Sequence, residues 1–126
     1  MALIGKKLVV ADDDPDGRET LKILLEMFGY EVRTACDGPT AVQEIAGFQP
    51  AAAIIDVSMP GFDGYRVARH VGAQSWGREI KLIALTGHGC DDDRQSASQA
   101  GFDIHMTKPL RADELERFLR HHLSEE

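Results

Sequence analysis

Apolar runs alternate with amphipathic stretches along most of the chain. A short apolar run bounded by turn residues is typical of a buried strand, and apolar residues at i, i+3, i+4 and i+7 are typical of a helix. On this basis five strands are predicted, at residues 8–11, 30–35, 51–57, 80–85 and 102–106. Only Asp56 interrupts the run at 51–57, so we expect a strand that is buried on both faces and presents one carboxylate at its carboxyl end.

Helix signals occupy the segments between these strands. The first helix has Asp14 as its N-cap, Pro15 at its first position and Gly29 as its stop. Its apolar stripe consists of Leu21, Leu24, Leu25 and Phe28. Four more helices are predicted: from the turn at 37–39 to about Gly47, around 67–71, over 91–100 with Gly101 as the cap, and around 115–123.

This alternation of strands and helices predicts the fold class. Parallel strands need crossover connections, and right-handed crossovers through helices cover both faces of a sheet. We therefore predict an α/β fold with a doubly wound, five-stranded parallel sheet, whose functional crevice lies outside the carboxyl ends of the strands. The chain has 126 residues and no linker or repeat, fewer than the roughly 150 residues of an average domain. One domain over residues 1–126 is expected.

Composition and charge narrow the class of protein further. Hydrophobic residues make up 43% of the chain and charged residues 28%, as in globular domains. The net charge of −7 repels phosphate backbones and argues against nucleic-acid binding. The two cysteines, Cys36 and Cys90, form neither a disulfide framework nor a metal-binding pattern. There is no signal peptide and no run of about 18 apolar residues, so we expect a cytoplasmic protein without direct membrane contact.

Chemically active side chains lie at the carboxyl ends of the predicted strands. They are Asp12, Asp13 and Asp14 after the first strand, Asp56 in the third, Thr86 after the fourth and Lys108 after the fifth. Crowded carboxylates repel one another unless a cation lies among them, and Mg²⁺ accepts two or three carboxylates while keeping its waters. A hydroxyl and an ammonium group suit phosphoryl oxygens, and a carboxylate can attack phosphorus. These residues point to Mg²⁺-dependent phosphorylation of an aspartate.

Four segments at these strand ends carry a further signal. They are 9–15 (VVADDDP), 55–64 (IDVSMPGFDG), 84–87 (ALTG) and 107–109 (TKP). In this order and at this spacing, the chain resembles the receiver domain of bacterial two-component response regulators, over nearly all of its length. The resemblance implies a flavodoxin-like (βα)5 arrangement with strand order 2-1-3-4-5.

The resemblance also implies a role for the acidic residues. Asp56 would be the phosphoacceptor, taking a phosphoryl group from the phosphohistidine of a histidine kinase or a histidine phosphotransfer domain. Asp12, Asp13 and Asp56, with the backbone carbonyl of Ser58, would bind Mg²⁺.

The remaining residues of the pattern would respond to the phosphoryl group. Thr86 would donate its hydroxyl to this group, and Lys108 would form an ion pair with it. The family usually has an aromatic residue three positions before the lysine, where this chain has His105, and Thr86 and His105 would form the switch. A further hypothesis is that His88, two residues after Thr86, influences how easily water reaches the acyl phosphate.

A receiver of this kind is a signalling switch. It promotes its own phosphotransfer and autodephosphorylation and is not a turnover enzyme for a small molecule. Its downstream protein target would bind the face formed by the fourth helix, the fifth strand and the fifth helix. The short length leaves no room for an output domain, so the response is expected to pass to another chain. Segments 82–89 and 100–109 resemble the receivers attached to hybrid sensor histidine kinases, and both a stand-alone regulator and an excised domain remain open.

Three alternatives compete with this interpretation. A phosphohydrolase of the haloacid dehalogenase type carries a second aspartate two residues after its nucleophile, as general acid, where this chain has Ser58. A flavodoxin-like cofactor binder needs hydroxyls and amides after its first strand, and three aspartates would repel its phosphate. A phosphorylation-independent, receiver-like protein-binding module is the third, although every chemical position of the receiver pattern is filled.

Overall fold

Five parallel strands form the centre of the molecule. The computed structural model describes residues 6–59, 61–87, 99–108 and 110–123. The strands are β1 (Lys7–Ala11), β2 (Glu31–Ala35), β3 (Ala52–Asp56), β4 (Lys81–Thr86) and β5 (Ile104–Thr107). The helices are α1 (Pro15–Met27), α2 (Gly38–Phe48), α3 (Gly64–Gly72) and the last helix α4 (Ala112–Leu123), with a 3-10 turn at Ser75–Glu79.

The sheet has the strand order β2-β1-β3-β4-β5, and all four strand pairs are parallel. This is the flavodoxin-like order, so the predicted fold class and strand order are confirmed. In such an order β2 is added on one side of β1, and the later strands β3, β4 and β5 are added on the other side. The loops that follow the neighbouring strands β1 and β3 therefore diverge to opposite faces of the sheet. The carboxyl ends of β1 and β3 therefore border an open crevice.

Two apolar layers hold the helices against the sheet. Successive strand residues point to opposite faces, so Val9 packs with α2 and α3 while Val10 packs with α1 and α4. Every residue of β3 is buried, which confirms the expectation of a strand covered on both faces. No helix in the described parts of the chain is long and apolar enough to cross a membrane.

The predicted and observed strand boundaries differ most for β5, at the edge of the sheet. β5 was expected to begin at Phe102, but it begins at Ile104. The cause is Asp103, whose backbone N–H donates to the Leu82 carbonyl (2.8 Å) and whose carboxylate accepts from the Leu82 N–H (2.7 Å). The Asp103 carboxylate thus accepts the Leu82 hydrogen bond that a backbone carbonyl of a neighbouring strand would otherwise accept. Phe102 is still buried, so the apolar signal was correct but the residue packs from a loop.

The helix ends show two further differences. Asp14 stands at the N-cap of α1, as predicted, but its side chain makes no capping hydrogen bond. α2 ends at Phe48, and Gln49, not the predicted Gly47, ends the helix in the left-handed conformation (φ 48°). Gly29 has φ 102° after α1, in agreement with its predicted role as a stop. The predicted helix at 91–100 lies outside the described residues except for its last two positions, which are helical.

Candidate functional site

Asp56 is the last residue of β3 and is only 2% exposed. One carboxylate oxygen, Oδ1, accepts hydrogen bonds from the backbone N–H (2.9 Å) and the hydroxyl (2.8 Å) of Ser58. The other, Oδ2, accepts from the ammonium group of Lys108 (2.9 Å). A buried charge is costly unless it is paired and hydrogen-bonded, and Asp56 has both kinds of partner.

Lys108 connects two carboxylates that come from different strands. It follows β5, and its ammonium nitrogen lies 2.9 Å from Asp56 Oδ2 and 3.4 Å from Asp12 Oδ2. Asp12 follows β1, is 5% exposed, and accepts a hydrogen bond from the backbone N–H of Asp14 (3.0 Å). The Cα register β1–β3–β4–β5 places these residues at one edge of the sheet although they lie far apart in sequence.

Three carboxylates at this edge have the composition of a magnesium site. Oxygen atoms of Asp12, Asp13 and Asp56 lie within 4.8 Å of one another. Asp12 and Asp56 are buried, and Asp13 is exposed. The donor set, hard oxygen ligands with net negative charge, fits Mg²⁺.

The pKa values of the two buried carboxyls shift in opposite directions. Burial alone would raise the pKa of Asp56, but the hydrogen bonds from Ser58 and Lys108 outweigh it and hold this pKa below its usual value. For Asp12 burial prevails, and the nearby Asp56 adds to it, so the pKa of Asp12 is raised. Burial would lower the pKa of Lys108, but the two carboxylates raise it above its usual value. Asp56 is thus held as the anion and Lys108 as the cation.

Thr86 and His105 are in direct contact. Thr86 ends β4 and is 2% exposed, and its hydroxyl oxygen lies 2.7 Å from Nε2 of His105 in β5. The backbone of Thr86 is one residue beyond Leu85, which is the Cα partner of Asp56. Its carbonyl accepts a hydrogen bond from the N–H of Lys108 (2.8 Å). The structure therefore places Thr86 at the same edge as Asp56, with its hydroxyl bound to His105.

Two contacts of the site were not anticipated from the sequence. The Ser58 hydroxyl bonds to Asp56, whereas only the Ser58 backbone carbonyl had been considered. A serine two residues after an aspartate in a turn is a recognisable signal for such a bond. The guanidinium of Arg18 donates to the carbonyl of Asp12 (2.9 Å). No pattern in the sequence indicated this contact, because it depends on where α1 lies relative to the loop.

A cavity of about 580 Å³ opens beside Asp12 and Lys108. The side of α1 that faces it contributes Gly17, Thr20 and Leu24, and Leu110 forms part of the opposite wall. The cavity gives an incoming group access to the acidic cluster from the α1 side. His88, the residue suggested for water access, lies outside the described residues.

The family model for the response regulator receiver domain matches residues 8–120. The chain belongs to the response regulator receiver domain family.

Particular relatives agree with this assignment. The chain is 36% identical over 109 residues to the response regulator MprA of Mycobacterium ulcerans, covering 86% of this chain and 46% of that protein. It is 34% identical to an uncharacterized 14.6 kDa protein of Leptolyngbya boryana, covering 90% of this chain and 86% of that one. It thus spans about half the length of MprA and most of the smaller relative.

Among solved structures, the chain is similar to the receiver domain of the sensor histidine kinase PA1611 of Pseudomonas aeruginosa PAO1. The two are 31% identical with a TM-score of 0.87, covering 94% of this chain and 98% of that domain. That structure has a magnesium ion coordinated in its active-site cleft. The predicted resemblance to response regulator receivers is confirmed, and the likeness to a kinase-attached receiver is one instance within that family.

Proposed function

We propose that Asp56 is the phosphoacceptor of this receiver domain and that its phosphoryl donor is a phosphohistidine on a histidine kinase or a histidine phosphotransfer domain. The main support is the arrangement around Asp56: a buried carboxylate, held ionised by Ser58 and Lys108, beside two further acidic residues. An ionised carboxylate is the form that can attack phosphorus.

In the proposed transfer, a carboxylate oxygen of Asp56 forms a bond to phosphorus while the bond from phosphorus to the donor imidazole nitrogen breaks. The electron pair of that bond stays on the imidazole, and the product is an acyl phosphate. Lys108, already 2.9 Å from Asp56, balances negative charge on the phosphoryl oxygens. Thr86 donates its hydroxyl to one of these oxygens. Hydrolysis of the acyl phosphate by water then returns Asp56 to its starting state.

We assign Asp12, Asp13, Asp56 and the Ser58 backbone carbonyl as the residues that hold Mg²⁺. When bound, Mg²⁺ supplies charge neutralisation for the acidic cluster and for the phosphoryl oxygens. The raised pKa of Asp12 is consistent with a site that lacks enough positive charge of its own.

The proposed partners bind at two surfaces. The phosphodonor approaches through the cavity between α1 and Leu110, which opens onto Asp12 and Lys108. The downstream protein target binds the face that includes β5 and α4, together with the fourth helix of the sequence prediction, most of which lies outside the described residues. Thr86 and His105 connect the two surfaces, because Thr86 would contact the phosphoryl group at the first surface and His105 lies in β5, which is part of the second.

The test is phosphorylation by a small phosphodonor. We expect the protein, incubated with acetyl phosphate and Mg²⁺, to gain the mass of one phosphoryl group, measured by intact mass spectrometry. Asp56→Asn should abolish the adduct, because the amide is not a nucleophile. Asp113→Asn, in an exposed acid on α4, is the matched control and should leave it unchanged.

Other outcomes separate the competing interpretations. No adduct on the wild-type protein, or an adduct that persists in Asp56→Asn, contradicts the proposal. A folded protein without an adduct would instead favour the phosphorylation-independent binding module. Loss of the adduct on removal of Mg²⁺ with EDTA is expected, and an undiminished adduct would contradict the metal assignment alone.

A further inference from the structure

The hydroxyl of Thr86 is already engaged before any phosphoryl group is present. It lies 2.7 Å from Nε2 of His105, within the normal range of a hydrogen bond. The threonine hydroxyl has one proton, and the imidazole nitrogen is a donor or an acceptor according to its tautomer. Either way the bond fixes the position of the hydroxyl oxygen. An aromatic hydrocarbon ring at position 105 would be unable to make this bond.

The strand register explains why these two side chains meet. His105 is the Cα partner of Ala84, two residues before Thr86. Residues two apart on a strand share a face of the sheet, so His105 and Thr86 lie on the same face of neighbouring strands. The ring of His105 only has to lean along the strand to reach the Thr86 hydroxyl.

The backbone on both sides of Thr86 is held by neighbouring strands. On the β5 side, the N–H of Lys108 donates to the Thr86 carbonyl (2.8 Å). On the β3 side, the N–H of Val57 donates to the carbonyl of Leu85 (3.0 Å). Because the main chain is fixed, the hydroxyl changes direction by rotation about the Cα–Cβ bond, between staggered positions. In the structure the hydroxyl is directed towards His105 on β5, and rotation would take it away from Nε2.

We propose that His105 and a phosphoryl group on Asp56 compete for the hydroxyl of Thr86. This inference rests on the proposed phosphorylation of Asp56, and it adds to the switch role of Thr86 and His105 that their bond opposes phosphorylation. His105 is a positioning residue: it acts on the phosphoryl group only through Thr86. The competition holds for either tautomer, because rotation moves the hydroxyl oxygen itself away from Nε2. By linkage, a phosphoryl group that captures Thr86 releases His105, and a stronger bond to His105 weakens capture of the phosphoryl group.

The proposal predicts that loss of the His105 bond favours the phosphorylated state. The probe is beryllofluoride with Mg²⁺, which mimics a phosphoryl group on an aspartate and whose affinity can be titrated by calorimetry. His105→Phe keeps a ring of similar shape but removes the bond. It should bind beryllofluoride about fivefold more tightly, the effect of one hydrogen bond and of a buried hydroxyl left without it. His122→Phe, in an exposed histidine on α4, is the control and should bind as the wild type does.

A double-mutant cycle separates competition from packing. Thr86→Val keeps the shape of residue 86 but removes the hydroxyl, so nothing is left to compete for. In the Thr86→Val background, His105→Phe should leave beryllofluoride affinity unchanged. An equal effect of His105→Phe in both backgrounds, or weaker binding in His105→Phe alone, overturns the proposal.

A spectroscopic measurement tests the contact itself and keeps the two proposals apart. The ¹⁵N shift of His105 Nε2 should change in Thr86→Val, and in the wild type it should change in the same direction when beryllofluoride is added. If the shift does not respond to Thr86→Val, the contact is absent and the competition is wrong. If the contact is present but the wild type binds no beryllofluoride, the failure lies in the proposed function of Asp56.

Discussion

The ammonium group of Lys108 pairs with two buried carboxylates of the candidate site. Lys108 contacts Asp56 and Asp12 at 2.9 and 3.4 Å, and both carboxylates are nearly inaccessible to water. Exposed ion pairs contribute little to stability, but removing one partner of a buried pair leaves the other charge uncompensated. At the scale of residues, we therefore expect the loss of the Lys108 charge to have a larger effect on the protein than the loss of a lysine that forms an exposed ion pair.

Replacing Lys108 tests this difference. Lys108→Met should slow phosphorylation by acetyl phosphate on the order of 10²-fold, the loss expected when one preorganised charge is removed from a phosphoryl site. The rate is measured by following the phosphorylated mass with time. Lys22→Met removes a half-buried lysine that pairs with Glu26 on α1 (3.1 Å) and has no contact with Asp56 or Asp12, and it should leave the rate unchanged. Similar rates for Lys108→Met and the wild type would contradict the assigned role.

Tyr30 gives a second prediction for a single residue. Its hydroxyl is buried and has no hydrogen-bond partner among the described residues. Burial, with the nearby Glu116, raises the pKa of Tyr30 to about 12 from an ordinary value of 10.0. The folded state therefore holds this proton more tightly than the unfolded state. The resulting stability, at most about 2.7 kcal/mol, is fully present below pH 10 and is lost as the pH rises towards 12.

Tyr30→Phe should remove that pH dependence. At pH 7 the variant should be as stable as the wild type or more stable by up to about 1 kcal/mol, since an unpaired buried hydroxyl is costly. At pH 11 its advantage should be larger. Denaturant titrations at the two pH values measure the difference. A wild type that loses no more stability than Tyr30→Phe between them would show that Tyr30 does not titrate as stated.

At the scale of elements, the start of α3 is packed against the backbone that carries Asp56. A Cβ atom on Gly64 would lie 2.7 Å from the Asp56 carbonyl oxygen and 2.7 Å from Val57 Cα. Both distances are too short for real contacts. The absence of a side chain at Gly64 thus lets α3 approach the end of β3, and this approach shapes the loop that presents Ser58 to Asp56.

Two glycines of the same helix provide a matched test. Gly64→Ala should destabilise the fold by about 2 kcal/mol and slow phosphorylation, because α3 or the end of β3 must shift. Gly72→Ala, at the other end of α3, meets nothing within 4 Å and should leave stability unchanged or slightly raised. Thermal unfolding and the acetyl phosphate reaction measure both variants. Equal stability of Gly64→Ala and Gly72→Ala would contradict the proposed close approach.

The elements also show which structural features a sequence can predict. Apolar periodicity located all five strands: β3, buried on both faces, is a continuous apolar run, whereas β2 at the sheet edge alternates between buried and more exposed residues. It missed the start of β5 because the Asp103 carboxylate, a polar group, takes the place of a strand partner. It anticipated that Asp56 and Lys108 converge, since parallel strands end at one edge. It could not anticipate the contact between Thr86 and His105, which depends on side-chain rotation.

At the scale of the whole molecule, the net charge of −7 is unevenly distributed. Three carboxylates lie within 4.8 Å of one another at the carboxyl edge of the sheet. Any cation that binds there binds only the folded chain, because the unfolded chain separates these residues. Ligand binding of this kind adds to the free energy of unfolding by mass action.

Mg²⁺ should therefore stabilise the protein. At a concentration about 100 times its Kd, the gain is roughly 2.7 kcal/mol, measured as a higher unfolding temperature. Asp13→Asn removes one of the proposed ligands and should weaken this response, whereas Asp113→Asn, in a carboxylate 62% exposed on α4, should retain it. An identical response in the two variants would argue against Asp13 as a ligand.

The order of the strands has a consequence for the newly made chain. Asp12 and Asp56 precede β5 in the chain, whereas His105 lies in β5, a strand at the sheet edge, and Lys108 follows it. A nascent chain that lacks the segment from β5 to Lys108 presents the carboxylates of Asp12 and Asp56 without their cation and lacks the contact between Thr86 and His105. The candidate site is therefore complete only once the segment through Lys108 has joined the sheet, and a shortened copy that stops before β5 would lack the cation that balances its buried carboxylates.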